Sequence, residues 1–525
     1  MALCECTVVV LVAWFTRIHL TIAQEELFYT AAVYEHRVHL NPDPKVVVGR
    51  NAALQHMNQN LEVFERQATA AAEQGAQILV FPEDGIHGFN FTRASIAAYL
   101  ETVPDPGAVK WSPCADPDRF QNTEVLQRLS CMAQKNSLFL VANMPDCQPC
   151  NSSVDPLCPA DGRYQFNTNV VFSDNGTIVA RYHKQNLYFE AEFDTPPKCE
   201  YVTFTTPFAG RFGVFTCFDI LFRDPAVTLV EDMGIRQFVF PTAWMNQLPL
   251  LAAVQFHRSF SYSAGVTLLA ANLRSAAFGM TGSGIYTPWH ALYHHDISKN
   301  EVGKLLVLRV PVLDPLLLGD APERASLKLV PFSGFPRVDI GKELEVRHFQ
   351  IGSDSEFCLK EDLSCNKSSS PFTSTMMYDK FTLVLLHGKE GNLTACDGSF
   401  CCHLLFQRMN STSEEEMYAL GAFKGLHGVH GTYYLEVCAL VRCTGLHQES
   451  CGGETEYAHT LIDFHLHGTF STKHVYASVL GSGMILERPD ESGWDSDRFY
   501  MSRRGMSSGL VTAVLYGRVY EKDSE

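Results

Sequence analysis

A thiol, an ammonium and a carboxylate stand at the ends of three strand-like runs in this 525-residue chain. Cys217 lies in "GRFGVFTCFDILFRDP" (residues 210–225), after an apolar run and before Asp224–Pro225, which reads as the cap and first turn of a helix. Glu83 closes "QILVFPED", a buried-strand pattern that must end near Pro82, because proline cannot donate to a sheet ladder. Lys184 ends "NTNVVFSDNGTIVARYHK", a hairpin whose turn is Asp174–Asn175–Gly176. In α/β folds, reactive groups collect beyond the carboxyl ends of strands. An acid, a cation and a thiol gathered there suit acyl transfer through cysteine. The cation would favour the thiolate and then hold a tetrahedral oxyanion. The carboxylate would take the thiol proton, pass it to a leaving amine, and later activate water.

Each residue also has a plainer reading. A strand cysteine is commonly an inert buried thiol or half of a disulfide. Glu83 fits a solvated loop acid, with Asp84 as a rival carboxylate, and Lys184 fits an exposed lysine. Spacing along the chain does not by itself bring the three together.

The surrounding elements belong to an α/β class. "NAALQHMNQNLEVFERQATAAAEQGA" places Leu54, Met57, Leu61, Phe64, Ala68 and Ala71 on one helical face, with Gly75 to close the helix. The apolar runs at 137–143, 212–218, 236–244 and 265–273 predict buried strands that alternate with helical segments. After about Pro315 the chain turns polar and then strand-rich, with cysteines at 358, 365, 396, 401, 402, 438, 443 and 451. That pattern predicts a smaller β-rich domain stapled by disulfides. The expected division is a leader at 1–23, a catalytic α/β domain at 24–325, and a β-rich domain at 326–525.

Composition points to export. The apolar run from Thr7 to Phe15 is too short to span a bilayer, and Thr21 and Ala23 are small residues before a cleavage point at Gln24, as in a signal peptide. The leader is irregular, since no Lys or Arg precedes the run. Sequons for N-glycosylation occur at Asn90, Asn151, Asn175, Asn366, Asn392 and Asn410. The polar ending "YGRVYEKDSE" lacks the hydrophobic tail of a lipid-anchor signal, so no membrane anchor is expected. A net charge of −17 argues against nucleic acid as a partner. Of seventeen cysteines, Cys4 and Cys6 would leave with the leader, and the odd remainder implies one spare thiol without saying which.

"VFPED", "RYHKQNLYFE" and "FTCFDILF" resemble the Glu, Lys and Cys motifs of the nitrilase superfamily of carbon–nitrogen hydrolases. "HKQNL", "CFDILF", "PTAWMN" and "MTGSGI" narrow the resemblance to its vanin and biotinidase branch. The resemblance implies an αββα sandwich followed by a β-rich base domain. It implies Glu83 as general base, Lys184 as oxyanion-stabilising lysine and Cys217 as nucleophile, with the backbone N–H of Phe218 beside the oxyanion. A second glutamate is common in the superfamily; Glu190 and Glu192 both fall in range, with Glu190 preferred. The superfamily's usual Cys-Trp-Glu is Cys217–Phe218–Asp219 here, so pocket shape does not transfer from distant relatives.

The implied substrates are small amides such as biocytin and biotinyl peptides, cut through a thioester, with biotinyl transfer open to the same intermediate. A pantetheine-cleaving enzyme and a non-catalytic biotin-binding glycoprotein are the alternatives. Tyr188, Phe218, Trp244 and Ile285 flank the motifs and are pocket candidates, although core packing would also explain each. The chemistry calls for no metal or other cofactor. The His-rich "WHALYHHD" (residues 289–296) lacks clean ligand spacing and reads as a polar loop. Oligomeric state is left open.

Overall fold

The computed structural model describes residues 27–300, 302–314, 370–409, 416–429 and 431–524. The expected leader (1–23), the expected domain junction at 325/326, Cys358, Cys365 and the sequons at Asn366 and Asn410 lie outside those residues.

Within residues 27–314, twelve strands are β1 (Phe28–Glu35), β2 (Ile78–Val80), β3 (Phe139–Pro149), β4 (Arg163–Phe172), β5 (Ile178–His183), β6 (Thr203–Thr206), β7 (Gly210–Val214), β8 (Gln237–Pro241), β9 (Thr267–Ala271), β10 (Gly284–Tyr286), β11 (Ala291–Tyr293) and β12 (Lys304–Pro311). They form two six-stranded sheets, ordered β12-β1-β2-β3-β4-β5 and β11-β10-β9-β8-β7-β6. β1, β2 and β3 run parallel, as do β7, β8 and β9, whereas β4 and β5 form the expected antiparallel hairpin. The sheets pack face to face through Val33, Val80, Val141, Val214, Val239 and Leu269, all fully buried. Alternate residues of the central strands are apolar on both faces, which is what a strand covered on both sides requires.

Helices α1 (Arg50–Glu73) and α2 (Glu124–Asn136) cover the outer face of the first sheet. The buried face of α1 is Ala53, Met57, Asn60, Leu61, Phe64, Ala68 and Ala71, close to the periodicity in the sequence. Phe64 stacks on Phe81 at 3.8 Å between ring centroids, so truncating it to alanine would cost about 3–5 kcal/mol. Asn60 breaks the apolar pattern for a reason. Its amide oxygen receives His39 N at 2.7 Å and lies 2.9 Å from His36 Nε2, tying α1 to the segment after β1. After α3 (Thr228–Glu231), helix α4 (Ala253–Ala264) covers the second sheet, completing the αββα order.

The C-terminal domain contains a seven-stranded and a five-stranded sheet, antiparallel throughout. Its seven-stranded sheet sits on α4: Ser259 donates to the Ala477 carbonyl at 3.0 Å, and Phe256 meets Tyr476 at 5.5 Å. The principal core runs unbroken from the catalytic sheets into this domain. Cys402–Cys438 joins the two C-terminal sheets, and closing its 36-residue separation stabilises by about 4 kcal/mol on loop entropy. Cys396–Cys401 and Cys443–Cys451 staple the same domain, and Cys114–Cys131 and Cys150–Cys158 the catalytic one.

The cysteine count needs correction. Three thiols are free among the described residues, Cys147, Cys199 and Cys217, where parity had implied a single spare. An odd total fixes only that the number of unpaired thiols is odd.

Candidate active site

Strand ends from both sheets meet at one place. Glu83 follows β2, Lys184 follows β5, Cys217 follows β7, and Ala243 follows β8. Lys184 Nζ donates to Glu83 Oε1 at 2.7 Å and also contacts Glu190 Oε1. The other oxygen of Glu83 accepts the backbone N–H of Ala243 at 2.9 Å, so this carboxylate bridges the two sheets. Glu83 and Lys184 are each about 1% exposed. Both of their charges act on the Cys217 thiol, which lines the cleft. The three residues are therefore brought together, and Cys217 is outside any disulfide.

Cys217 occupies a left-handed backbone conformation, φ 45°, at the start of a 3₁₀ turn, Cys217–Leu221. Such a conformation is disfavoured for a residue with a Cβ and persists only where its surroundings impose it. Asp219 imposes it here. Its carboxylate accepts the Thr216 N–H at 3.0 Å, the Tyr182 hydroxyl at 2.7 Å, and the Asn186 backbone and side-chain N–H groups at 2.8 Å each. The helical turn thus begins at Cys217 itself. A second helical segment starts at Asp224–Pro225 as expected: Asp224 is extended, with φ −104° and ψ 126°, and the chain runs from Pro225 into the helix Thr228–Glu231. Early N–H groups of a helical turn lack partners within it, and Phe218, the second residue, carries one of them. The strand Leu510–Arg518 grips the far end of the turn: Arg518 Nε donates to the Leu221 carbonyl at 2.8 Å.

The electrostatics follow from burial. Lys184 would be pulled down by desolvation, but Glu190 and Glu83 outweigh it and push its pKa well above the usual value. Burial raises Glu190 to about 7, opposed by Lys184 and reinforced by Glu83. Burial also pushes the Cys217 thiol well up; Glu83 adds to the shift, while Lys184, Thr242 and the Ala243 N–H oppose it. Lys184 acts in the expected direction, favouring the thiolate, but burial and Glu83 act against it. The ammonium is clasped between two carboxylates. Alkylation of Cys217 by iodoacetamide, followed on its own peptide by mass spectrometry, is expected to rise about tenfold per pH unit from about pH 7 to about pH 9. A plateau anywhere in that interval would reveal a low-pKa thiolate instead.

Three buried asparagines hold the framework, and the sequence reading missed them. Asn167 Nδ2 donates to Glu83 Oε1 at 2.8 Å and to Glu190 Oε2 at 3.2 Å. Its oxygen receives Asn143 Nδ2 at 2.6 Å; Asn143 also reaches Asn169 Oδ1, and Asn169 donates to Thr216 Oγ1 at 2.8 Å. A chain of amides so connects the carboxylates to the residue before the nucleophile. The "FNTNVV" run would have shown two asparagines on one strand face, but their partners follow only from the β3–β4 register.

Of the two candidate glutamates, the structure brings Glu190 to Lys184; burial raises Glu192 to about 7, and hydrogen bonding with the Phe91 backbone opposes that rise. Asp84 Oδ1 lies 3.4 Å from His87 Nε2; burial raises its pKa, with Glu83 and Glu190 adding to the rise and Lys184 opposing it. Tyr188, Phe218 and Trp244 line a cleft of about 470 Å³, open mouth included, over Cys217. Ile285 does not line it. It is fully buried in β10, paired with Leu269 and Leu292, and belongs to the core, because strand pairing carries the "GSGI" segment away from the cleft. In the His-rich segment, His295 lies 2.9 Å from Glu456 as a contact between the domains. The sequon residues Asn90, Asn151, Asn175 and Asn392 are exposed.

Comparison with known proteins places this geometry. Residues 49–285 match the carbon-nitrogen hydrolase family and residues 370–523 the vanin C-terminal domain. Biotinidase of Bos taurus is 53% identical over 496 residues, covering 94% of this chain and 93% of that one. Biotinidase of Takifugu rubripes is 54% identical over 500 residues, covering 94% and 95%. Pantetheinase of Canis lupus familiaris is 45% identical over 499 residues, covering 94% and 89%. The chain belongs to the carbon–nitrogen hydrolases, in the branch that unites the biotinidases and the pantetheinases, and is an enzyme of that class.

Proposed function

We propose that this protein is an extracellular amidohydrolase that frees biotin from biocytin and biotinyl peptides. The observation that carries the reading is the buried Glu83–Lys184 pair behind a disulfide-free Cys217 at the foot of an aromatic cleft. Identity of 53–54% to biotinidases, against 45% to a pantetheinase, supports the biotinyl amide over the pantothenyl one. Tyr188, Phe218 and Trp244 offer aromatic surface to the apolar part of biotin, and Gln247 offers polar atoms to its ureido edge. Five disulfides and exposed sequons support export through a leader at 1–23.

In this reading Glu83 takes the proton from Cys217 as the sulfur attacks the amide carbonyl. A thiol with a raised pKa needs such a base at the moment of attack. Lys184 and the Phe218 N–H carry the negative charge of the tetrahedral oxygen. Glu83 returns its proton to the lysine nitrogen as the C–N bond breaks, because an unprotonated amide nitrogen leaves poorly. A biotinyl thioester and a free amine result. Water, deprotonated by Glu83, attacks the thioester; biotin departs and the sulfur recovers the proton. An amine in place of water gives biotinyl transfer. Glu190, held by Lys184 and Asn167, keeps the ammonium in place through both halves.

Purified protein is expected to hydrolyse biocytin with kcat/KM at least about tenfold above that for pantetheine. Acid-quenched reactions should carry a biotinyl mass on the Cys217 peptide. Preference for pantetheine would replace biotin as the substrate, and turnover without a cysteine adduct would remove the thioester.

A further inference from the structure

One wall of the catalytic cleft comes from the other domain. Tyr378, His427 and Tyr433 face Tyr188, Phe218 and Trp244 across it. Tyr378 sits at the tip of a hairpin formed by Phe372–Met376 and Asp379–Leu385. The two turn residues, Met377 and Tyr378, have φ of 49° and 74°. A two-residue turn of this kind needs both central residues left-handed and is normally built from Asn–Gly or Asp–Gly. Methionine and tyrosine are poor choices there on steric grounds.

The surroundings impose the strained geometry. Met377 packs against the core shared by the two domains. Asp379, the next residue, has Oδ2 2.7 Å from His427 Nδ1, and His427 Nε2 lies 2.7 Å from the Val429 carbonyl. The His427 ring stacks on Tyr433 at 4.5 Å, and Tyr433 meets Phe218, the neighbour of the nucleophile, at 6.2 Å. Gly431 approaches so closely that a Cβ there would sit 2.8 Å from Phe218 Cζ. The hairpin tip is thus fixed to the cleft, while the Tyr378 side chain itself remains 54% exposed at its edge. Backbone strain held in place beside a site is characteristic of ligand clamps.

We propose that the Met377–Tyr378 turn is an acyl-recognition element, with the Tyr378 ring covering the far part of an acyl group whose carbonyl is attacked by Cys217. The inference rests on reading the protein as a hydrolase of long-acyl amides. It names the recognised class: acyl groups that reach from the sulfur to the hairpin, of biotinyl or pantothenyl length, and not acetyl. An aromatic residue occupies a position better suited to Asn or Gly because its ring is used.

The test compares the full-length protein with Tyr378→Asn and Tyr378→Phe on the 4-nitroanilides of biotin, pantothenic acid and acetic acid. Asparagine suits the left-handed turn but lacks the ring. For Tyr378→Asn, the long-acyl to acetyl ratio of kcat/KM is expected to fall about tenfold, through KM. Its melting temperature is expected to rise by about 2 °C as the strain is relieved. Tyr378→Phe should keep the ratio within about twofold of the unmodified protein, since the ring face is retained. An unchanged ratio in Tyr378→Asn overturns the proposal, as does a loss shared equally by the acetyl anilide. Should the unmodified protein cut the pantothenyl and spare the biotinyl anilide, the biotin reading fails and the ratio is taken on the pantothenyl substrate. Should it cut neither, both fall together.

Discussion

Cys217→Ala is expected to lower turnover of the preferred amide by at least about 10⁴-fold while the protein still folds and is secreted. The residue is 7% exposed and takes part in no disulfide, so the change removes one sulfur atom from the edge of a cleft. Its φ of 45° is as unfavourable for alanine as for cysteine, and the backbone strain is unaltered. The Asp219 network that holds the turn does not use the sulfur. In the proposed mechanism, by contrast, catalysis loses the atom to which the acyl group is transferred. Lys184 and the Phe218 N–H would remain, but the tetrahedral oxygen they are proposed to stabilise would no longer form at a useful rate. Steady-state assays beside a thermal melt decide the point. Residual turnover above about 1%, with an unchanged melt, would place the nucleophile elsewhere.

Glu83→Gln is expected to slow acylation and deacylation together, by about 10²- to 10⁴-fold each. Both carboxylate oxygens already accept: Oε1 from Lys184 and Asn167, Oε2 from Ala243. An amide can accept at only one of those positions. Its NH₂ must then face a donor, and no atom of it can take a proton at neutral pH. Lys184 keeps Glu190 as a partner, so the ammonium is not left buried alone, which separates the chemical effect from gross misfolding. Rapid-quench measurements of thioester formation and decay resolve the two steps. A normal decay rate beside slow formation would show that another group activates water.

The elements that position these residues were largely legible. The periodicity of the long helix, the Asn175–Gly176 hairpin and the apolar runs each encode a local preference that tertiary packing does not overrule. The site was legible only in outline. Strand ends flagged Glu83, Lys184 and Cys217, but their meeting depends on sheet order, and their family motifs supplied the assignment. What escaped is non-local. The asparagine chain depends on β3–β4 register, the Ala243 contact belongs to a backbone N–H, and the Tyr378–His427–Tyr433 wall lies in another domain. Two expectations failed for physical reasons. Proximity in sequence suggested Ile285 for the pocket, yet strand pairing carries it into the core. Parity suggested a single spare thiol, yet an odd total leaves room for the three found among the described residues.

The grip of Arg518 on the Leu221 carbonyl reaches beyond packing. The arginine lies 297 residues beyond the carbonyl it holds, so a strand made long afterwards supports the turn that bears the thiol. Loss of Arg518 therefore acts on the Cys217 turn nearly as directly as a change beside it. During synthesis, Phe256 and Phe260 of α4 emerge uncovered and wait for Tyr476 and Tyr516, made some two hundred residues later.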